Sequence, residues 1–130
     1  MEMKTPEDIC GDFREWPKRW MGTEKDLVYG AELLEIMRGF VQHLITAGLA
    51  DRTIRNHMDN LWLLGGEIIR YVNMYERYTV PALEELLNSV GHDGGRYCHH
   101  LSSEAQQRSY DSTCRKLAKY LNQTSQSTGS

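Results

Sequence analysis

A compact all-α bundle of four or five helices is the fold this sequence predicts, and three observations predict it. Apolar residues recur at steps of three and four through residues 29–46 and again through 51–71, a spacing that gathers them on one helical face. A very short turn, Ala47-Gly48-Leu49-Ala50-Asp51, joins the two stretches, and Gly48 suits a residue just past a helix end. No segment alternates apolar and polar residues as a half-buried strand does.

In chain order, Thr5-Pro6-Glu7-Asp8 is a helix start: Thr as N-cap, Pro at the first position, acids beside the positive end of the dipole. This short helix carries Ile9 and Phe13 toward the core. Residues 16–29 contain Pro17 and Gly22, lack sustained periodicity, and read as an irregular, aromatic-rich arm. The next helix buries Leu33, Leu34, Ile36, Met37, Phe40, Val41, Leu44 and Ile45, with Glu32, Glu35 and Gln42 on the wet side. Past Gly48, Leu49 folds back on the helix it leaves, and Asp51 or Thr53 caps the helix that follows.

That following helix, from 51 to 71 or 75, buries Ile54, Met58, Leu61, Gly65, Ile68 and Val72, widened by Trp62, Leu64 and Ile69. Gly65 and Gly66 each cost about 1 kcal/mol there relative to alanine, so a close helix–helix approach is expected, a hinge being the other reading. Thr79-Val80-Pro81 opens another helix, with Leu83, Leu86, Leu87 and Val90 on one face and Gly91 as its stop. Residues 92–95 are turn-rich. Ser102 or Ser103 starts the last helix, Ser103 with Gln106 matching a capping box, and Tyr110, Cys114, Leu117 and Leu121 share a face. The expected organisation is an N-terminal helix and arm over 1–30, a helical core over 31–121, and a disordered polar tail over 122–130.

At 130 residues the chain makes one domain, able to bury roughly two thirds of its unfolded surface, so neither disulfide nor metal is needed for a core. No apolar run approaches the roughly 20 residues of a membrane span, and the N-terminus lacks the basic flank and apolar run of a secretory signal. Three cysteines, Cys10, Cys98 and Cys114, are odd in number and widely spaced, which predicts free thiols and a cytoplasmic location. A net charge of −3 and a pI near 5.9 argue against a strongly basic nucleic-acid binder while leaving room for a local basic patch.

The segment from Phe40 to Leu49, followed by Thr53-Ile54-Arg55-Asn56, resembles the helical hairpin of the core-binding (SAM-like) domain of tyrosine recombinases and phage integrases. In that family an apolar helix ends in Gly-Leu, then a serine-type cap, then Thr-Ile/Val-Arg opens the second helix. Here Ala50 stands at the serine position, Asp51 where proline is common, and His57 where an aromatic residue is usual. The resemblance implies a SAM-like fold that clamps duplex DNA, with Thr53 and Arg55 as backbone-contacting residues; Arg52 joins them by charge. It implies no strand cleavage, because the recombinase catalytic domain has no room after this hairpin. The blocks 59–70 and 109–117 also resemble a group of small uncharacterised bacterial proteins, a likeness that implies no activity.

Phosphate binding needs cations or helix N-termini on one surface. Arg52 and Arg55 fall in the first turn of their helix, and Arg108, Arg115, Lys116 and Lys119 give the last helix four cations against Glu104 and Asp111. The expected DNA-contacting set is therefore Arg52, Thr53, Arg55, Arg108, Arg115, Lys116 and Lys119, the two groups forming one stripe. The plainer reading is solvated helix faces with cations matched to the dipole. His92, Asp93, Cys98, His99 and His100 are zinc-ligand types, but a second closely spaced ligand pair is missing, so no metal or other cofactor is expected. Trp16, Trp20, Tyr29 and Trp62 could stack on bases, yet packing of the arm against the core is the stronger expectation. Cys114 reads as a small buried hydrophobe, and Cys10 is unconstrained.

The sequence carries no Gly-rich phosphate loop, nucleophile elbow or HExxH pair, and His43 and His57 read as surface or boundary residues rather than general bases. The expectation is a non-enzymatic module with duplex DNA as partner. The alternative is a protein-interaction module or small regulator using an acidic face at Glu84-Glu85 or an apolar patch at Trp20, Met21 or Tyr75. Oligomeric state is open.

Overall fold

In the computed structural model six α-helices pack around one core, and residues 4–91, 94–95 and 103–128 are described, with side chains for 4–90 and 103–123. Helix α1, Pro6–Ile9, starts as its sequence requires: the Asp8 carboxylate accepts hydrogen bonds from the Thr5 amide (2.7 Å) and hydroxyl (3.1 Å). A 3-10 turn, Phe13–Glu15, leads into α2, Trp16–Trp20. The expected irregular arm is thus partly helical, because Pro17 falls in the first turn of α2, where its missing N–H costs no intrahelical bond.

The third helix, α3, spans Glu24–Thr46 and begins five residues before the apolar periodicity does. Its start is a polar one. Thr23 is the N-cap, and the Asp26 carboxylate accepts from the amides of Gly22 (2.8 Å) and Thr23 (3.0 Å). The end of α3 follows the sequence closely: Gly48 has φ of 85°, its amide donates to Ile45 O (3.0 Å), and the Leu49 amide donates to Leu44 O (3.3 Å). This pair of bonds is the Schellman arrangement, with half-buried Leu49 packed back on the core.

Helix α4, Asp51–Met74, has Ala50 as its N-cap with no side-chain cap bond. Asp51 therefore does not take the capping role; it sits at the first helical position, favoured by the dipole, and pairs with Lys4 at 2.8 Å. Helix α5, Ala82–Ser89, is followed by a two-residue antiparallel pairing of Val90–Gly91 with Gly94–Gly95. The last helix, α6, runs Glu104–Thr128, with Ser103 Oγ accepting from the Gln106 amide at 3.1 Å. It continues through residues 122–128, where a disordered tail was expected. No breaker intervenes before Gly129, and each added residue gains one backbone bond once the helix is nucleated.

One cluster holds the buried apolar side chains of every helix that contributes to it. Leu33, Met37 and Phe40 of α3 face Ile54, Met58, Leu61 and Ile68 of α4, with Leu86 of α5 and Tyr110 and Leu117 of α6 closing it. Each such side chain, fully withdrawn from water, contributes about 1.5–3 kcal/mol before entropy is counted. Ile9, Phe13 and Trp16 lie in the same cluster, so the N-terminal helix and arm pack into the core.

Two expected faces are corrected. Leu83 is half-exposed, and Glu85 is buried at 1% exposure against Arg77, whose Nε donates to it at 2.8 Å and Nη2 at 3.2 Å. The Glu84-Glu85 pair thus makes no acidic surface, since only Glu84 faces solvent. The close approach expected at Gly65-Gly66 is made by the short helix α2, through an aromatic ring. The Trp20 indole of α2 lies on α4 where a Gly65 Cβ would stand, and its Nε1 donates to Trp62 O at 3.1 Å.

Candidate functional site

Helices α4 and α6 are locked together by a buried polar cluster that the apolar pattern did not reveal. His57 Nδ1 lies 2.7 Å from Thr113 Oγ1, and Asn60 Nδ2 donates to Thr113 Oγ1 (2.8 Å), Ser109 Oγ (3.0 Å) and Ser109 O (3.1 Å). Thr113 Oγ1 spends its one proton on Ser109 O (3.2 Å), so Nδ1 is assigned as the donor of the His57 contact. His57 is buried rather than a boundary residue, and burial, with Lys116 nearby, holds its pKa below the usual histidine value. A histidine and a hydroxyl this close could suggest a base and nucleophile. Here the histidine donates, and the pair is sealed between helices, so its role is to hold them in register.

The register decides which cations meet. Residue 57 opposes 113 and residue 60 opposes 109, so α4 and α6 run antiparallel and the first turn of α4 lies beside the C-terminal half of α6. The end of α3 joins them there: Phe40 and His43 contact the Tyr120 ring at centroid distances of 5.6 and 5.2 Å. A shallow notch lined by Phe40, His43, Leu44, Lys116, Lys119 and Tyr120 opens between α3 and α6. Arg52 and Thr53 of α4 stand exposed at this same end of the bundle, with Arg115 exposed on the adjoining face of α6.

Two expected members fall elsewhere. Arg55 points to the opposite flank of α4, where its Nη1 donates to Ile9 O at 3.1 Å. Arg108 lies one residue from Ser109, at the level of Asn60, about two turns from Lys116. The single stripe expected from sequence is therefore a cluster at the turn end plus two outliers, because α6 packs on one flank of α4 and Arg55 projects from the other.

Ion pairs are unevenly distributed among the cations. Lys4, Arg14, Lys18, Arg19, Arg38 and Arg77 each form an ion pair. Among the described residues, none of Arg52, Arg55, Arg108, Arg115, Lys116 and Lys119 does.

Other candidates resolve as packing. Trp16 and Tyr29 are buried, Trp16 meets Trp20 and Trp62 with ring centroids 5.8 Å from each, and Tyr29 donates to Val80 O at 2.7 Å. Cys114 is buried on the apolar face of α6. Cys10 is a buried free thiol whose pKa is pushed up to about 11 by burial and the Asp12 carboxylate, which accepts from its Sγ at 3.0 Å. His92, Asp93, Cys98, His99 and His100 lie outside the described residues, among which no metal-holding group of His, Cys, Asp and Glu occurs. No described helix is long and apolar enough to cross a membrane.

Asp26 is the polar residue that sequence reasoning missed most completely. It is 1% exposed, and besides the two amides it accepts from Tyr78 Oη (2.6 Å) and Asn73 Nδ2 (3.2 Å). Burial pushes its carboxyl up, but these donors outweigh that and leave its pKa below the ordinary value. A carboxylate so fully engaged ties the start of α3 to the end of α4 and has no lone pair left for a substrate proton. Comparison with protein-family models, with curated proteins and with solved structures finds no match to this chain.

Proposed function

We propose that this chain is a non-enzymatic helical module that docks on duplex DNA through the turn end of its bundle, as the resemblance to integrase core-binding domains implies. The observation that carries the reading is the segregation of cations. Exposed Arg52, Arg115, Lys116 and Lys119 share one end and, among the described residues, form no ion pair, whereas Arg14, Lys18, Arg19 and Arg38 are matched to acids, and the other cations without an ion pair, Lys25, Arg55 and Arg108, lie apart from one another. Free amides of the first turn of α4 beside Arg52 and Thr53 add donors suited to phosphate oxygen. With no base-reading element implied, binding is electrostatic and nearly independent of sequence.

The test is fluorescence anisotropy with a labelled duplex across salt concentrations. Three to four phosphate contacts predict a log–log slope of about −3, so a rise from about 50 to 200 mM salt weakens binding roughly 60-fold. A slope near zero, or no binding at the lowest salt, rejects the proposal. The second reading, a protein-interaction module, is favoured by Met74 and Tyr75, which are 60% and 61% exposed, Met74 lining one groove with half-buried Trp20.

A further inference from the structure

The notch between α3 and α6 at the turn end of the bundle encloses about 310 Å³, the lower end of the range for small-ligand sites. We propose that it holds an unpaired nucleotide of a DNA strand, the base laid against the His43 and Tyr120 rings and the phosphates against Lys116 and Lys119. The inference rests on the DNA-docking reading and names the DNA that this end prefers, a duplex with a single-stranded overhang.

The aromatic pair is fixed in place by α3. Tyr120 reaches across from α6, and its hydroxyl oxygen lies 2.7 Å from where a Gly39 Cβ would stand, so a side chain at 39 would push the ring off the helix. A glycine inside a helix is less stable than alanine, and at residue 39 it makes room for this ring. Buried Phe40 and exposed His43 contact the ring at interplanar angles of 57° and 40°. Tyr120 itself is half-exposed, so both outer rings keep surface open to solvent. Such a surface takes any base, because every base has a π face. In an intact duplex that face is covered by the neighbouring base pairs, whereas an overhang presents it.

Charge at the notch is positive and uncompensated. Neither Lys116 nor Lys119 forms an ion pair among the described residues, and no acid lines the notch. The chain has no Asp or Glu from 36 to 50 or from 112 to 130, stretches that include the second half of α3, the turn and all of α6 beyond Asp111. Asp51, at the start of α4, is taken by Lys4 at 2.8 Å. The carbonyl end of α3 carries only a partial negative charge, and its Leu44 and Ile45 carbonyls already accept from the Leu49 and Gly48 amides. A ligand that joins an aromatic plane to phosphates uses both features; inorganic phosphate or an apolar peptide uses one.

Fluorescence anisotropy on the full-length chain with three labelled ligands tests this. They are a blunt duplex, the same duplex with a short oligothymidine overhang, and one whose overhang is abasic and so keeps the phosphates without the bases. The thymine overhang should bind roughly tenfold tighter than the abasic one, the effect of a single stacked base. His43→Ala should cut that ratio to roughly threefold and Tyr120→Leu should nearly abolish it. Each protein is its own control, and His43 is exposed, so the test stays decisive if Tyr120→Leu does not fold. Equal binding of the two overhangs, or a ratio unchanged in His43→Ala, overturns the proposal, while binding of the blunt duplex leaves the docking surface standing. Preference for the thymine overhang with no blunt-duplex binding supports the notch and rejects duplex docking. Free thymidine monophosphate that binds as tightly as the overhang overturns the proposal, because the notch would then be a site for a free nucleotide.

Discussion

Asp26→Ala is expected to destabilise the fold by about 3 kcal/mol, read as a lower midpoint in urea. The substitution leaves the amides of Gly22 and Thr23, the Tyr78 hydroxyl and the Asn73 amide without their common acceptor. Each buried donor left unpaired costs about 1–3 kcal/mol, less where water enters the new space. Asp26→Asn keeps two acceptor lone pairs and should cost about half as much. The carboxylate also sets a pH dependence. Its pKa is lowered on folding, so the stabilisation is complete above the unfolded value of 3.8 and is lost as pH falls through the folded value. Glu7 adds to the same limb: two hydrogen bonds from Arg38, at 2.8 and 2.6 Å, hold it at about 2 against an ordinary 4.5. Stability of the wild type should therefore fall steeply below about pH 4.5, and the Asp26→Ala protein should show a shallower acid limb.

Gly65→Ala should lower stability by about 2–3 kcal/mol, although helix propensity alone predicts a gain of about 1 kcal/mol. The sign rests on Trp20, whose ring lies where the new Cβ must go and whose indole N–H is anchored to Trp62 O. The ring cannot slide outward without losing that bond and its stacking on Trp62, at 5.9 Å between centroids. Removing the ring removes the conflict, so the double variant Gly65→Ala with Trp20→Ala should be no less stable than Trp20→Ala alone. A stabilised Gly65→Ala single variant, measured by thermal melting, would mean that the indole does not sit where described.

Sequence periodicity revealed what periodicity can encode. The stripes of α3 and α4, the Schellman turn at Gly48, the Thr5 start and the Ser103 cap are local patterns, each complete within a few residues. What escaped is long-range and polar. Asp26 finds Asn73 at a separation of 47 residues, and His57 finds Thr113 at 56, and neither pairing leaves a trace in hydropathy. Glu85 reads as a surface acid until Arg77 is seen beside it, and the helix contact expected at Gly65 does not reveal that its partner is Trp20 of α2. The candidate DNA site was legible as a set of cations. Its partition was not, because which flank of α4 receives α6 is decided by Asn60 and His57, and that choice strands Arg55 beside Ile9.

The most direct test of the turn-end surface compares two triple charge reversals that change net charge equally. One converts Arg52, Lys116 and Lys119 to glutamate; the other converts Arg14, Lys18 and Arg19, which are ion-paired on the far side of α4. With duplex anisotropy at low salt, the first should weaken binding roughly 100-fold, about 1 kcal/mol for each lost phosphate contact, and the second only severalfold. Equal losses in the two proteins would contradict a localised surface, and an unchanged affinity in the first would remove the turn end as the docking site.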